Sequence, residues 1–463
     1  MKTSIIPDKQ IFVNSDCGSG LNLKAICIFA ATGFFLEKDT FYKDLEALQP
    51  ATDYVIDENK KIKNSVHYWK WHYSPEDITL KKATEEFAHL FEKICSTKLK
   101  NMEVILPLSG GLDSRTQAAV LSDNSNVRSY SYKFEDSFDE TKYGKMISEV
   151  RSFPFKEYII PRGYLWNVID KLAAINKCYA DFTSPRQMAV IEEISESGNV
   201  FFLGHWGDVL FDDMGVKDEI SFEEQIIVIL KKILKRSGEE LAQSLWASWG
   251  LEGNFRSYLE ERISLLLQEI KIDNANSRIR AFKSMYWAPR WTSANMEIFS
   301  AYNPLVLPYY DDEMCKFICR IPEKLLAGRK VQINYIKMKN AELAKIPWQD
   351  YDPYNLYDYK NFHNKARLPG RAIRKGKRLI NEKIFGKKLN IRNWEIQFTG
   401  EDNDKHLKEH LFDNNSFSGL VSPDTVKYFY NGFKKDPVYY SHSVNMLLTL
   451  SMFSQMKKIK TDS

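Results

Sequence analysis

Between residues 102 and 205, short apolar runs and longer amphipathic stretches take turns along the chain. The apolar runs are "EVILPL" (103–108), "VRSYSYKF" (127–134), "KEYII" (156–160) and "NVFFLGH" (199–205). They are rich in β-branched and aromatic residues and bounded by turn-forming residues, which predicts strands. Between them lie "SRTQAAVLS" (114–122), "ETKYGKMISEV" (140–150), "LWNVIDKLAAI" (165–175) and "RQMAVIEEIS" (186–195), whose apolar positions recur at helical spacing. Strand and helix in alternation predict an α/β fold, a parallel sheet with helices on both faces.

The flanks read differently. "AICIFAATGFFLE" (25–37), "DYVIDENKKIK" (53–63) and "VHYWKWHY" (66–73) predict a small β-rich N-terminal part, residues 1–80. A helix is predicted over 74–100, opened by Ser74-Pro75 and carrying an i, i+3, i+4 apolar stripe. Beyond about residue 220 helical patterns dominate, as in "FEEQIIVILKKILK", "FRSYLEERISLLLQEI" and "DEMCKFICRI", so a helical C-terminal part is expected.

Composition narrows the function classes. The 463 residues are 44% hydrophobic, enough for packed domains rather than disorder. A net charge of +4 is too mild to point to nucleic acid as a partner. The six cysteines are scattered, as in a reduced cytoplasmic protein. Cys315 and Cys319 lie four apart, but no second Cys/His pair lies nearby, so they read as core rather than zinc ligands. Ala25–Leu36 is too short to span a bilayer, so no transmembrane segment is expected. Residues 365–388 carry ten Lys/Arg and a single Glu. They read as a solvated surface, with peripheral contact to phosphates or an anionic membrane as the sharper alternative.

The candidate chemistry centres on "PLSGGLDSRTQ" (107–117). A Gly-rich turn after a parallel strand, opening a helix, offers backbone N–H groups to an anion. Gly110 and Gly111 allow the tight turn, and Ser109 and Ser114 can donate to phosphate oxygens. Asp113 is out of place beside a phosphate unless a cation sits between them, and Mg²⁺ suits that position. The Walker A pattern is absent.

The motif resembles the pyrophosphate loop of the asparagine synthetase-like ATP pyrophosphatases. That group holds asparagine synthetases, β-lactam synthetases, lasso-peptide cyclases and amidotransferases of surface-glycan clusters. "FFLGHWGDVLFDDMG" (201–215) is similar to the family's second signature, G-E-G-x-D-E-L-F-G-G. "NPLVLPYYDDEMCKFICRIPEKL" and "KMKNAELAKIPW" are similar to its later stretches. The resemblance implies an ATP-dependent, AMP-forming ligase with an asparagine synthetase-like domain over 81–463. It would adenylate a small-molecule carboxylate and pass it to ammonia or an amine donor. The alternatives are an intramolecular cyclase forming a lactam or peptide bond, or a non-catalytic member; tRNA thiolation would want a pair of reactive cysteines at the site. Implied for ATP and pyrophosphate are Ser109, Gly110, Gly111, Leu112, Asp113 and Ser114; implied for Mg²⁺ are Asp113 and Asp208.

The resemblance has gaps. Residues 1–80 resemble only the tail of a glutaminase domain. Lys2 stands where that domain has its nucleophilic cysteine, and the nearest cysteine is Cys17. A separate glutaminase is therefore one possible partner. His205 replaces the signature glutamate, Val209 its second acid, and Asp212 and Asp213 its glycines. His205 is a candidate to take the proton of the attacking amine. Lys330 and Lys337 are both candidates for the cation that assists pyrophosphate departure. Arg290 is a weaker candidate for a substrate anion, and Asp311 is expected to order the site.

Overall fold

The most apolar strand runs are buried on both faces, and they form the middle of one sheet. The computed structural model describes residues 11–13, 20–58, 62–121, 126–135, 137, 141–363 and 391–461. The basic stretch 365–388, Lys2 and Cys17 lie outside them. Among the described residues are nine strands: β1 (Ile11–Val13), β2 (Leu45–Ala47), β3 (Thr52–Ile56), β4 (Ile62–His67), β5 (Val104–Pro107), β6 (Val127–Phe134), β7 (Phe155–Ile160), β8 (Val200–Phe202) and β9 (Leu305–Val306). The last five form a parallel sheet in the order β7-β6-β5-β8-β9. Register follows burial: Val104 pairs with both Val127 and Val200, and all three are buried. Such strands must be covered on both faces, and helices flank the sheet.

The helices of the sheet region are α1 (Leu23–Thr32), α2 (Leu80–Lys98), α3 (Leu112–Val120), α4 (Lys142–Arg151), α5 (Leu165–Asn176), α6 (Ile191–Ser195) and α7 (Gly207–Leu210). The helical part adds α8 (Phe222–Ile233), α9 (Gly238–Ser248), α10 (Phe255–Glu269), α11 (Ala275–Phe282), α12 (Ser293–Ser300), α13 (Asp312–Arg320), α14 (Glu323–Leu326), α15 (Lys330–Lys339) and α16 (Ala341–Lys345). After the undescribed stretch come α17 (Asn393–Phe398), α18 (Glu401–Phe412), α19 (Asn415–Ser418), α20 (Pro423–Lys435) and α21 (Pro437–Thr461). No helix among the described residues is long and apolar enough to cross a membrane.

Two expectations need correction. "AICIFAAT" is not a strand but most of α1, with Ala25 through Thr32 all buried. It packs against α9 and α21, so it is apolar all round, and a helix of that kind shows no amphipathic period. Phe29 stacks on Phe35 at 4.6 Å and Phe41 on Phe453 at 3.8 Å, joining this region to the helical core. Residues 52–67 give a hairpin, β3 with β4, and β1 pairs antiparallel with β2. The helix expected from residue 74 starts at Leu80, where the Thr79 side chain accepts from Lys82 N. Ser74 and Glu76 instead donate backbone N–H groups to the carbonyls of Cys319 and Arg320.

Candidate functional site

The strand order reverses at β5. The chain steps outward through β6 and β7, then returns to lay β8 and β9 on the other side. The turns leaving β5 and β8 therefore part in opposite directions and open a crevice at the C-terminal ends of the strands, where open α/β sheets bind ligands. A cavity of about 620 Å³ occupies it. Ser109, Asp113 and Ser114 line it from the β5–α3 turn, and His205, Trp206 and Asp208 from the β8–α7 turn.

The β5–α3 turn is held from within and from above. Ser109 and Ser114 hydroxyls lie 3.1 Å apart, and Gly111 N donates to the Ser109 hydroxyl at 3.3 Å. Leu112 is buried beneath the loop. Gly111 is the N-cap of α3 and supplies no side-chain cap, so backbone donors at this helix start remain for an anion. A Cβ on Gly110 would fall 2.5 Å from Gln349 Cβ and 2.9 Å from Tyr143, so only glycine fits. Arg115, fully buried, fixes that neighbour's segment. Its guanidinium donates to the carbonyls of Ile346 (2.9 Å), Pro347 (2.9 Å) and Leu343 (3.3 Å). Gln349 N then donates to Gly110 O at 3.2 Å.

The β8–α7 turn comes against Asp113 through two glycines. A Cβ on Gly204 would lie 3.0 Å from Asp113 Cβ, and one on Gly207 would collide with the Asp113 carboxylate, 2.7 Å from its Cγ. Between them Trp206 holds φ 78°, a left-handed backbone that glycine adopts freely; the resembling signature has glycine at that position. Its indole N–H is held by Ser284 at 3.1 Å. Arg280, buried, donates to the carbonyls of Val209 (3.1 Å) and Asp212 (2.7 Å) and pairs with buried Glu323. The Asp212 carboxylate accepts from Gly328 N at 2.7 Å, tying the turn to the entrance of α15.

Asp113 forms an ion pair with Arg329 and accepts from Gln332 Nε2 at 3.0 Å, both through Oδ1. Gln332 also donates to the Tyr309 hydroxyl at 2.9 Å. Burial raises the Asp113 pKa, Arg329 opposes it, and the Asp208 charge adds to the rise. Asp208 itself is exposed at the cavity. His205 Nδ1 is sealed from solvent and has no hydrogen-bond partner among the described residues. Burial lowers its pKa to about 4, against a smaller opposing effect of Asp208, so the imidazole is neutral at ordinary pH.

The two candidate lysines are elsewhere. Lys330 Nζ donates to Lys324 O at 2.7 Å, and Lys337 Nζ lies over the Tyr357 ring at 4.9 Å; neither lines the cavity. Arg329 takes a left-handed conformation (φ 58°) as the N-cap of α15, which turns that helix's Arg329 and Gln332 toward Asp113 instead. Lys283, which sequence reasoning passed over, lines the cavity with its ammonium 5.1 Å from the Trp287 ring and 5.6 Å from the Trp206 ring. Burial lowers its pKa to about 8, with Asp208 opposing. Lys283, Trp287 and Trp291 recur every four residues within a π-helical stretch, Lys283–Thr292, and all three face the cavity. That spacing was readable in the sequence; the π-helical winding, frequent at functional sites, was not.

Arg290 does not serve the cavity. It donates to Asp39 O at 2.6 Å and Phe35 O at 3.4 Å, tying the N-terminal region down. Asp311 caps α13 through Glu313 N at 3.0 Å and pairs with Lys98 at 2.7 Å. Burial raises the thiol of Cys315 to about 12 and that of Cys319 to about 11. Among the described residues no group of three or more His, Cys, Asp or Glu is placed to hold a metal.

A model of the asparagine synthase family matches residues 86–327. The chain is similar to "Putative asparagine synthetase (glutamine-hydrolyzing) 2" of Methanocaldococcus jannaschii, 26% identical over 196 residues, 41% of this chain and 38% of that protein. It thus spans about two fifths of the length of this relative. Among solved structures it is similar to NMN synthetase from Francisella tularensis. That likeness has TM-score 0.23 and 13% identity, over 45% of this chain and 94% of the other.

Proposed function

The chain belongs to the asparagine synthase family, and from that premise we propose that it is an ATP-dependent ligase that adenylates a carboxylate and converts it to an amide. One observation carries the reading. The Ser109–Ser114 turn, the Asp208 carboxylate, in no ion pair among the described residues, and a neutral imidazole converge on one cavity at the point where the strand order reverses.

In this reading the N–H groups at the start of α3, with Ser109 and Ser114, hold the phosphates of ATP. Asp208, with the Oδ2 side of Asp113, suits Mg²⁺, which takes few carboxylates and fills its shell with phosphate oxygens and water. When bound, that ion would neutralise charge on departing pyrophosphate. Lys283, which lines the cavity, is the protein's own cation for the same charge, a role first expected of Lys330 or Lys337. The substrate carboxylate attacks the α-phosphorus, its oxygen bonding there as the bond to pyrophosphate breaks. Ammonia or an amine then attacks the acyl carbon and displaces AMP. His205, neutral at ordinary pH and lining the cavity, accepts the proton that the nitrogen sheds.

Trp206, Trp287 and Trp291 give the cavity flat apolar walls, which supports an acceptor built on a ring, such as a sugar uronic acid in glycan assembly. Residues 1–80 fit a glutaminase-like remnant whose helix α1 now serves the core of the synthetase part, 81–463. A partner glutaminase remains within this proposal.

The test is a panel of carboxylates assayed for pyrophosphate release with ATP and magnesium, with and without ammonium. One carboxylate should raise release well above background. A broad panel without any stimulation, from a protein shown to bind ATP, would sink the reading.

A further inference from the structure

Behind Trp291 lies a second chamber, of about 190 Å³, and that indole lines both spaces. Its wall is assembled from six separated parts of the chain: the end of α1, residues 181–184, Lys235 after α8, Trp291, Trp394 of α17, and α21. Its chemistry is polar. Buried Asp181 accepts from the backbone N–H groups of residues 183 and 184, both at 2.8 Å, and from Asn445 Nδ2 at 2.9 Å. Lys235 brings in an ammonium that lies 5.8 Å from the Trp287 ring and enters no ion pair among the described residues. The other Asp181 oxygen, Oδ2, accepts from Ser184 Oγ at 2.8 Å. His442 Nε2 faces Ala30 O at 2.9 Å, so a neutral ring places its proton there and leaves Nδ1 as an acceptor.

The chamber therefore holds a cation that enters no ion pair among the described residues, and a carboxylate with one oxygen, Oδ2, that accepts a single bond among them. Its two charges, Lys235 and Asp181, balance. A lone anion would meet Asp181 and a lone cation would meet Lys235, whereas a ligand carrying both signs answers each. The volume has room for roughly six waters, which suits a small solute and excludes a nucleotide.

We infer that this chamber binds a small α-amino acid as its zwitterion, with the carboxylate on Lys235 and the ammonium on Asp181. The inference does not rest on ATP chemistry. Binding is measured without ATP, so a failed ligase assay leaves it standing, and failed binding leaves the ligase reading standing.

The experiment is calorimetric titration of the full chain near neutral pH with glycine, L-alanine and L-serine. Acetate and methylammonium serve as probes carrying one charge each. At least one amino acid should bind saturably, and each single-charge probe about tenfold more weakly or less, because each forfeits one charge-assisted contact. Lys235→Met should weaken the amino acid by about tenfold or more. Lys235→Gln, which keeps a polar head, repeats the measurement if the Met variant does not fold. Lys271→Met, at an exposed lysine outside the chamber, should change nothing. Amino acids that bind no better than acetate or methylammonium, or Lys235 variants with wild-type affinity, would overturn the inference and leave a chamber filled by water alone.

Discussion

Acid should destabilise this protein through His205 by an amount that can be worked out in advance. The folded ring resists a proton until about pH 4, because its Nδ1 is buried without a hydrogen-bond partner among the described residues. The unfolded ring accepts one at about 6.5. Between those values the unfolded state binds more protons, so stability falls as the pH falls. The full gap corresponds to up to about 3 kcal/mol, of which about 1.4 is lost by pH ~5.5 and about 2.5 by pH ~4.5. Urea unfolding of the wild type and of His205→Gln at those pH values and at ~7.5 isolates this contribution. His442, also held to about 4 by burial, is common to both proteins and cancels. Relative to its value at neutral pH, the variant should gain on the wild type by these amounts. A difference that stays constant with pH would refute the reasoning. The same shift bears on the pH profile of amide formation: no inflection near 6.5 should come from His205, which is already neutral there.

Asp113→Asn should reduce pyrophosphate formation at least about a hundredfold, roughly 2.7 kcal/mol of barrier, and near-wild-type release would remove Asp113 from the chemistry. It should also lower stability, read by urea unfolding, because Arg329 keeps its charge in a half-buried place without its partner. Lys283→Met should slow adenylate formation, followed by pyrophosphate exchange, while Lys330→Met and Lys337→Met should leave it nearly unchanged; the opposite ranking would return the role to α15. Gly207→Ala places a methyl against the Asp113 carboxylate and Tyr309, and should cost about 1–3 kcal/mol of stability together with most of the activity. A silent Gly207→Ala would show that the two turns do not meet.

What the sequence disclosed was what short stretches decide for themselves. The β5–α3 turn needs its own glycines and serines within six residues, and the alternation around it needs only period and length. The helix α1 was misread because a fully buried helix and a buried strand are both unbroken apolar runs. The companions of Asp113 could not be read at all. Arg329 and Gln332 reach it across more than two hundred residues, through the left-handed turn at Arg329, and that turn set which face of α15 looks inward. Lys330 and Lys337 carried the expected charge on the expected helix and were carried past the cavity by that rotation.

The burial of α1 between α9 and α21 also bears on how the molecule is made. Ala30 finds His442 only after 412 further residues have been added. At ~5–20 residues per second, a ribosome needs on the order of 20–80 seconds to supply that neighbour. Throughout that interval an apolar helix with no solvent-compatible face has left the exit tunnel and lacks one side of its groove. Arg115 adds a shorter delay to the anion-binding turn, since the carbonyls it grips, in residues 343–347, lie 228 to 232 residues further along. Assembly of the site thus waits on segments made long after its own turn, and yield in a cell should depend on holdase chaperones that cover α1 until α21 is made.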